Sequence, residues 1–311
     1  MSLYLITGGA GFIGSHLADA LLDAGHRVRV LDDFSTGRRA NLDARCEVMA
    51  ADVTDPAAMR AAFAGTEGCF HLAAVASVAR GNEDWLGTHR VNQAGTVTVL
   101  QAAREAARVP VVYASSAAVY GDLGAAAVRE AAWPAPLTAY GADKLGSELH
   151  ARVAWQVHGV PTLGLRFFNV YGPRQAAGSP YSGVVSIFAE RLHAGMPVLV
   201  HGSGAQTRDF VYVADAVAHL LAAMRHLAQA RGAAVLNVCT GRATAVLELA
   251  QTLARLQDRP LRLHQGPPRA GDIARSVGDP AAAAATLGLR AETTLKDGLA
   301  ATLASLAAQA A

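Results

Sequence analysis

Residues 3–14 read LYLITGGAGFIG, an apolar run followed by four glycines within seven residues. LYLIT has the composition of a buried strand. FIGSHLADALLDAG, residues 12–25, spaces its apolar side chains as a helix does, and Gly25 suits the left-handed residue that follows a helix end. The glycines between satisfy GxGxxG at Gly9, Gly11 and Gly14, and TGxxGxxG at Gly8, Gly11 and Gly14. Side chains at such positions would block the tight bend and hold a pyrophosphate off the backbone. The helix N-terminus that follows offers N–H groups to negative charge. Strand, glycine turn and helix in this order predict the first βα unit of a parallel dinucleotide-binding sheet, with Gly8, Gly11, Phe12, Ile13 and Gly14 at the phosphates.

The alternation continues. HRVRVLDDF and CEVMAADVTD read as strands, DPAAMRAAFAG as a helix opened by Asp55 with Pro56 in its first turn, and GCFHLAA as a fourth strand. TVTVLQAAREA reads as a helix, VPVVYASSAAVYG as a fifth strand, YGADKLGSELHARVAWQVHG as a long helix and TLGLRFFNVYG as a sixth strand. Repeated βα units imply a parallel sheet covered on both faces. After Gly172 the pattern loosens into GPRQAAGSPYSG and then mixed helical and extended pieces. The expected fold class is α/β, a Rossmann-type doubly wound parallel sheet with a smaller C-terminal α+β substrate lobe. Residues 1–172 are expected to form the dinucleotide-binding domain, joined again by a segment at about 209–240, and residues 173–311 mainly the lobe.

The 311 residues are 52% hydrophobic and 17% charged, which allows a large core and excludes a disordered chain. A net charge of +2, with Lys and Arg scattered, argues against nucleic acid as a partner. Cys46, Cys69 and Cys239 lack metal-ligand spacing, and three cysteines make no disulfide framework, so no metal is expected. The N-terminal MSLYLITGGAG shows no signal-peptide pattern, and no apolar run is long enough to span a bilayer. A cytoplasmic protein with no membrane partner is the expectation.

Asp32 and Asp33 end the second strand, Asp33 nineteen residues past Gly14, near the ~20 at which a carboxylate meets the adenosine ribose. A carboxylate there repels a 2′-phosphate and favours NAD over NADP, while Arg38 and Arg39 just beyond suit such a phosphate. Asp52, followed by Val53 in ADVTD, can accept from the adenine amino group or simply close a turn. Tyr140 and Lys144 in YGADK share one face of a helix. A neighbouring ammonium favours phenolate, which lets a tyrosine act as a base near neutral pH. Alone, such a pair is ordinary surface chemistry.

The ordered set carries more weight. TGGAGFIGS, ADVTD, HLAA, VN with GT beyond it, SSAAVYG, YGADK, LRFFNVYGPRQ, SGVVSIF, QTRDFVYVADA and RAGD cover nearly the whole chain. With them the sequence resembles the extended short-chain dehydrogenase/reductases, and within these the nucleotide-sugar epimerases of the UDP-glucose 4-epimerase type. The resemblance implies bound NAD and a UDP-sugar substrate. It makes Tyr140 the base at the sugar 4-hydroxyl and Lys144 the lysine that bonds the nicotinamide ribose. The active hydroxyl, four residues before the tyrosine of VYG, becomes Ser116, with Ser115 supporting the strand end. Ala73, Ala74, Asn92 and Phe167 line the cofactor cleft by the same likeness. On the substrate side Asn169 meets the pyrophosphate region, Arg208 and Arg269 clamp the diphosphate as guanidinium forks suit phosphate, and Asp272 holds the nucleotide ribose. A homodimer through the helices near 92–107 and 140–158 is also implied.

Two departures narrow the chemistry. Related dehydratases carry an Asp-Glu pair directly after the active hydroxyl, where this chain has Ala117 and Ala118. Uronate epimerases are expected to carry threonine where Asn169 stands. Ser276 stands where strict glucose/galactose epimerases carry a bulky tyrosine, which leaves room for a 2-acetamido group. The expected activity is 4-epimerisation of a UDP-hexose, UDP-glucose/UDP-galactose and possible UDP-N-acetylhexosamines included. The rivals are a one-way nucleotide-sugar dehydrogenase or reductase, a uronate 4-epimerase, and a non-catalytic dinucleotide-binding module.

Overall fold

The computed structural model describes residues 1–124, 126–175, 183–267 and 273–310. The first part runs Leu3–Thr7 (β1), Phe12–Asp23 (α1), Arg27–Asp32 (β2), Glu47–Ala50 (β3), Pro56–Phe63 (α2), Gly68–His71 (β4), Val78–Glu83 (α3), Trp85–His89 (α4), Gly95–Glu105 (α5), Val111–Ser116 (β5), Ala139–His158 (α6) and Thr162–Phe167 (β6). It continues as Asn169–Tyr171 (β7), Val184–His193 (α7), Val198–His201 (β8), Thr207–Arg208 (β9), Phe210–Tyr212 (β10), Val213–Gln229 (α8) and Ala233–Val238 (β11). Thr244–Ala245 (β12), Val246–Leu256 (α9), Leu263–Gly266 (β13), Arg275–Ser276 (β14), Ala281–Leu287 (α10) and Leu295–Ala310 (α11) complete it.

Seven strands form one parallel sheet in the order β11-β6-β5-β4-β1-β2-β3. The winding reverses between β1 and β4, and in such sheets ligands bind at the carboxyl ends of the strands beside that reversal. All four residues of β4 and all six of β6 are buried, because helices cover both faces. Leu17, Leu21, Phe70, Leu163 and Leu220 pack beneath α1 and α8 on one face. Leu5, Met59, Phe63, Val99 and Ala151 pack beneath α2, α5 and α6 on the other. A third cluster, with Phe188, Val200, Phe210 and Leu249, joins α7, α9, β8 and β10 into the smaller lobe.

Local signals place the helices. Asp55 caps α2 by accepting from the N–H groups of Ala57 and Ala58, at 2.8 and 3.2 Å. Thr138 caps α6 by accepting from Gly141 N at 3.0 Å, and Gly159 ends it with φ 67°.

Three stretches depart from the sequence reading. TLGLRFFNVYG is two strands. Phe168 N still bonds Val238 O, but Val170 N bonds Phe168 O in a three-residue turn and Asn169 N bonds Asp209 O. The bend carries β7 off the main sheet to pair with β10. In VPVVYASSAAVYG the strand stops at Ser116, whose Oγ accepts from Ala118 N at 3.1 Å and opens a single 3₁₀ turn, Ala117–Tyr120. Residues 75–91, unassigned from the sequence, hold α3, α4 and the start of a turn of π-helix, Arg90–Ala94. No described helix is long and apolar enough to cross a membrane.

Candidate active site

The glycine turn after β1 is shaped by backbone contact. Gly8 has φ 71°, and a Cβ there would lie 2.6 Å from Ala73 N in the loop after β4. A Cβ on Gly14 would lie 2.3 Å from Gly8 O. Both positions need glycine for the turn itself to close. Gly11 differs, because a Cβ there would approach only Gly8 O, at 3.2 Å, and its outer side is open. Gly11 also begins α1, which has neither a side-chain cap nor an acidic residue in its first turn. The N–H groups of half-buried Phe12 and Ile13 are thus left for an anion, and the cradle fits a dinucleotide pyrophosphate.

Asp32 ties this cradle to β2. Its Oδ2 accepts from Ala10 N and its Oδ1 from Phe34 N, both at 2.9 Å. Burial raises its pKa, and the two N–H groups oppose the rise. Asp33 is exposed, and its Oδ1 accepts from the N–H and hydroxyl of Ser35. Asp52 makes a similar turn with Thr54, at 2.8 Å to both its N and Oγ1, and lies 3.6 Å from Arg90. Val53 is buried in the core. Ala73 and Ala74 are half-buried beside Gly8. Buried Asn92 accepts from Val75 N at 2.7 Å and donates to Val75 O at 3.1 Å, so it fixes the loop after β4. It does so from the π-helical turn, a feature common at functional sites.

The three residues expected to react, Ser116, Tyr140 and Lys144, meet at the end of β5. Ser116 hydrogen-bonds Tyr140, near the start of α6. Lys144, one turn on, donates to Ala114 O at 2.8 Å, and its Nζ lies 5.8 Å from the Tyr140 ring centre. Burial raises the Tyr140 phenol above its ordinary value, and the bond with Ser116 pulls the other way. Burial brings Lys144 down to about 8, against the charges of Asp143 and Glu148. Ser115 donates to Glu148 Oε1 at 2.5 Å, so the paired serines serve opposite sides of the strand. Phe167 is the register partner of Ser116 and is 7% exposed, packed in the core.

On the lobe side, β9 and β14 pair so that Arg208 stands opposite Ser276. Arg208 Nη1 donates to Thr207 O at 2.8 Å and Ile273 O at 2.7 Å. Asn169 N donates to Asp209 O, and Asp209 N to Ser276 O. Asn169 is exposed, at the start of β7. Asn169, Arg208 and Ser276 therefore converge around Asp209. Its fully buried carboxylate accepts from Thr240 N and Oγ1 and from Gly241 N. Burial raises its pKa, and those donors oppose the rise. Arg269 and Asp272 lie outside the described residues.

The sequence reading passed over Asp209, His71, Glu148 and Arg166. A lone arginine inside the apolar strand TLGLRF, with a glutamate one turn past Lys144, was the available signal. Among the described residues, no group of three or more His, Cys, Asp or Glu could hold a metal.

A glycine cradle at the sheet's reversal and a Ser-Tyr-Lys group at the end of β5 define the extended short-chain dehydrogenase/reductase class. The chain belongs to the NAD dependent epimerase/dehydratase family, whose model matches residues 4–239, and NAD is accordingly its cofactor. It is 38% identical over 307 residues to a UDP-glucose 4-epimerase of Mycolicibacterium smegmatis, covering 96% of each chain. The solved UDP-glucose 4-epimerase of Thermotoga maritima, with UDP-glucose, matches with TM-score 0.94 and 32% identity over 99% of this chain and all of that one. A UDP-N-acetylglucosamine 4-epimerase of Methanobrevibacter ruminantium, in complex with UDP-N-acetylmuramic acid, matches with TM-score 0.94 and 27% identity over 99% of both chains.

Proposed function

We propose that this protein is an NAD-dependent 4-epimerase of UDP-hexoses that interconverts UDP-glucose and UDP-galactose. The observation that carries the reading is Ser116, Tyr140 and Lys144 gathered at one strand end, with Ala117 and Ala118 in the turn that follows. NAD, when bound in the cradle, supplies hydride uptake and return at C4. Tyr140 takes the proton of the 4-hydroxyl and later gives it back, while Ser116 bonds the same oxygen. Lys144 supplies positive charge beside the phenol. The alanines offer no acid to expel a leaving group, which favours reversible oxidation over elimination. Inversion requires the ketosugar to present its other face, so the anchor belongs on the nucleotide, where Asn169, Arg208, Arg269 and Asp272 are assigned. Small, half-buried Ser276 opposite Arg208 supports a second substrate, UDP-N-acetylglucosamine.

The reading includes a homodimer. Leu149, Val153 and Val157 are exposed at four-residue spacing along α6, with Val97 exposed on α5. Light scattering should give twice the chain mass, and a monomer at micromolar concentration would remove this part. The activity is tested by a panel of UDP-glucose, UDP-N-acetylglucosamine, UDP-glucuronate and a GDP-sugar, with the 4-epimers resolved. Epimers of the first two are expected. Turnover of the uronate alone would refute the assignment of Asn169, and rejection of UDP-N-acetylglucosamine that of Ser276.

A further inference from the structure

Asp143, between Tyr140 and Lys144 on α6, has no role in the reading above. It is 3% exposed. Its Oδ1 lies 2.7 Å from Nδ1 of His89 on α4, and because a carboxylate only accepts, that nitrogen carries the proton. Its Oδ2 is buried with no hydrogen-bond partner among the described residues. One bond from a half-exposed imidazole compensates a buried carboxylate poorly. Glu148, the other acid near Lys144, is held by Arg166 at 2.8 and 2.6 Å and by Ser115, so the guanidinium largely cancels its charge. Lys144 itself is 4% exposed, and among the described residues its hydrogen bond is to a neutral carbonyl, Ala114 O. From β4 it is faced by His71, which burial holds neutral. Asp143, next to Lys144 along α6, is thus the remaining acid, and it acts on the ammonium through space and not through a direct ion pair.

We propose that Asp143, anchored by His89, is a positioning residue that keeps Lys144 charged beside Tyr140. The inference rests on the reading of Lys144 as the partner of Tyr140. Asp143 is first among the influences that raise the Lys144 pKa against burial. Without its charge, burial acts with less opposition and the lysine loses its proton at lower pH. The pair therefore acts on the alkaline side.

The chain has two lysines, Lys144 and Lys296. In a Lys296→Arg background, carbon-13 lysine NMR reads the titration of Lys144 with no substrate present. Asp143→Asn is expected to lower the midpoint by about one pH unit, a tenfold change in proton affinity. His89→Ala should move it the same way by less, and Asp143→Glu should restore it. Asp143→Ser is the second variant should the amide fail to fold. A midpoint within about 0.3 unit of the parent in folded Asp143→Asn or Asp143→Ser overturns the proposal. In turnover, the alkaline limb of kcat should move down while KM holds. A lowered midpoint in a protein inactive on every UDP-sugar would support the role of Asp143 and remove the epimerase reading instead.

Discussion

Removing one partner of the Glu148–Arg166 pair is expected to destabilise the fold more than removing both. Each side chain is 6% exposed, and the guanidinium bonds both carboxylate oxygens. Arg166 also donates to Tyr120 Oη at 2.8 Å, Tyr120 donates to Asn237 Oδ1 at 2.6 Å, and Asn237 N donates to Glu130 Oε1 at 2.7 Å. The network joins α6, β6 and the edge strand β11. Glu148→Leu leaves an uncompensated buried guanidinium, which costs about 3–5 kcal/mol. At roughly 2–4 °C per kcal/mol for a domain of this size, melting should fall by about 10 °C. Glu148→Leu with Arg166→Met removes both charges and leaves the Ser115 and Tyr120 hydroxyls each short of one partner, at about 1–3 kcal/mol apiece. Urea unfolding followed by tryptophan fluorescence gives the three values and a coupling energy expected to be about 2 kcal/mol or more. Single variants that lose less than about 1 kcal/mol, or a double equal to their sum, would refute the reasoning.

Other outcomes follow from the same structure. Gly14→Ala sets a Cβ 2.3 Å from Gly8 O and should distort the turn, while Gly11→Ala sets one 3.2 Å from the same oxygen, a tight contact that a shift of a few tenths of an ångström relieves, and should still fold. Both should bind NAD at least about tenfold more weakly by calorimetry, and unchanged NAD affinity in Gly11→Ala would remove the pyrophosphate from that face. Burial lowers His71 from 6.5 to about 3, so between these values the unfolded chain binds the extra proton. The stability it contributes is full above pH 6.5 and is lost as pH falls through that window, at about 1.4 kcal/mol per unit. His71→Gln should flatten that slope in urea unfolding at successive pH values, and parallel slopes would contradict it. With Lys144 lowered to about 8, kcat/KM should decline above that pH, and a profile flat to about pH 10 would exclude the lysine's charge from the chemistry.

The sheet was legible because its strands are short, apolar and separated by capped helices, and Asp55, Thr138 and Gly159 sit where caps are needed. The glycine turn and the Tyr140–Lys144 pair were legible for the same reason, since their spacing is local. What escaped was tertiary. The break at Phe168 depends on bonds to Val238 and Asp209, far along the chain. The helices of residues 78–89 run six and five residues, too short for periodicity, and only the caps Ser77 and Asp84 announce them. Asp209 gathers donors from residues 240 and 241, which no spacing in QTRDF reveals.

The most direct measurement is turnover of UDP-galactose by the purified protein with no cofactor added, beside the NAD released on denaturation. About one NAD per chain and formation of UDP-glucose are expected, with Tyr140→Phe retaining the NAD but slowed about 10²–10⁴-fold. A stoichiometric requirement for added NADPH, or a Tyr140→Phe variant as fast as the parent, would contradict the account.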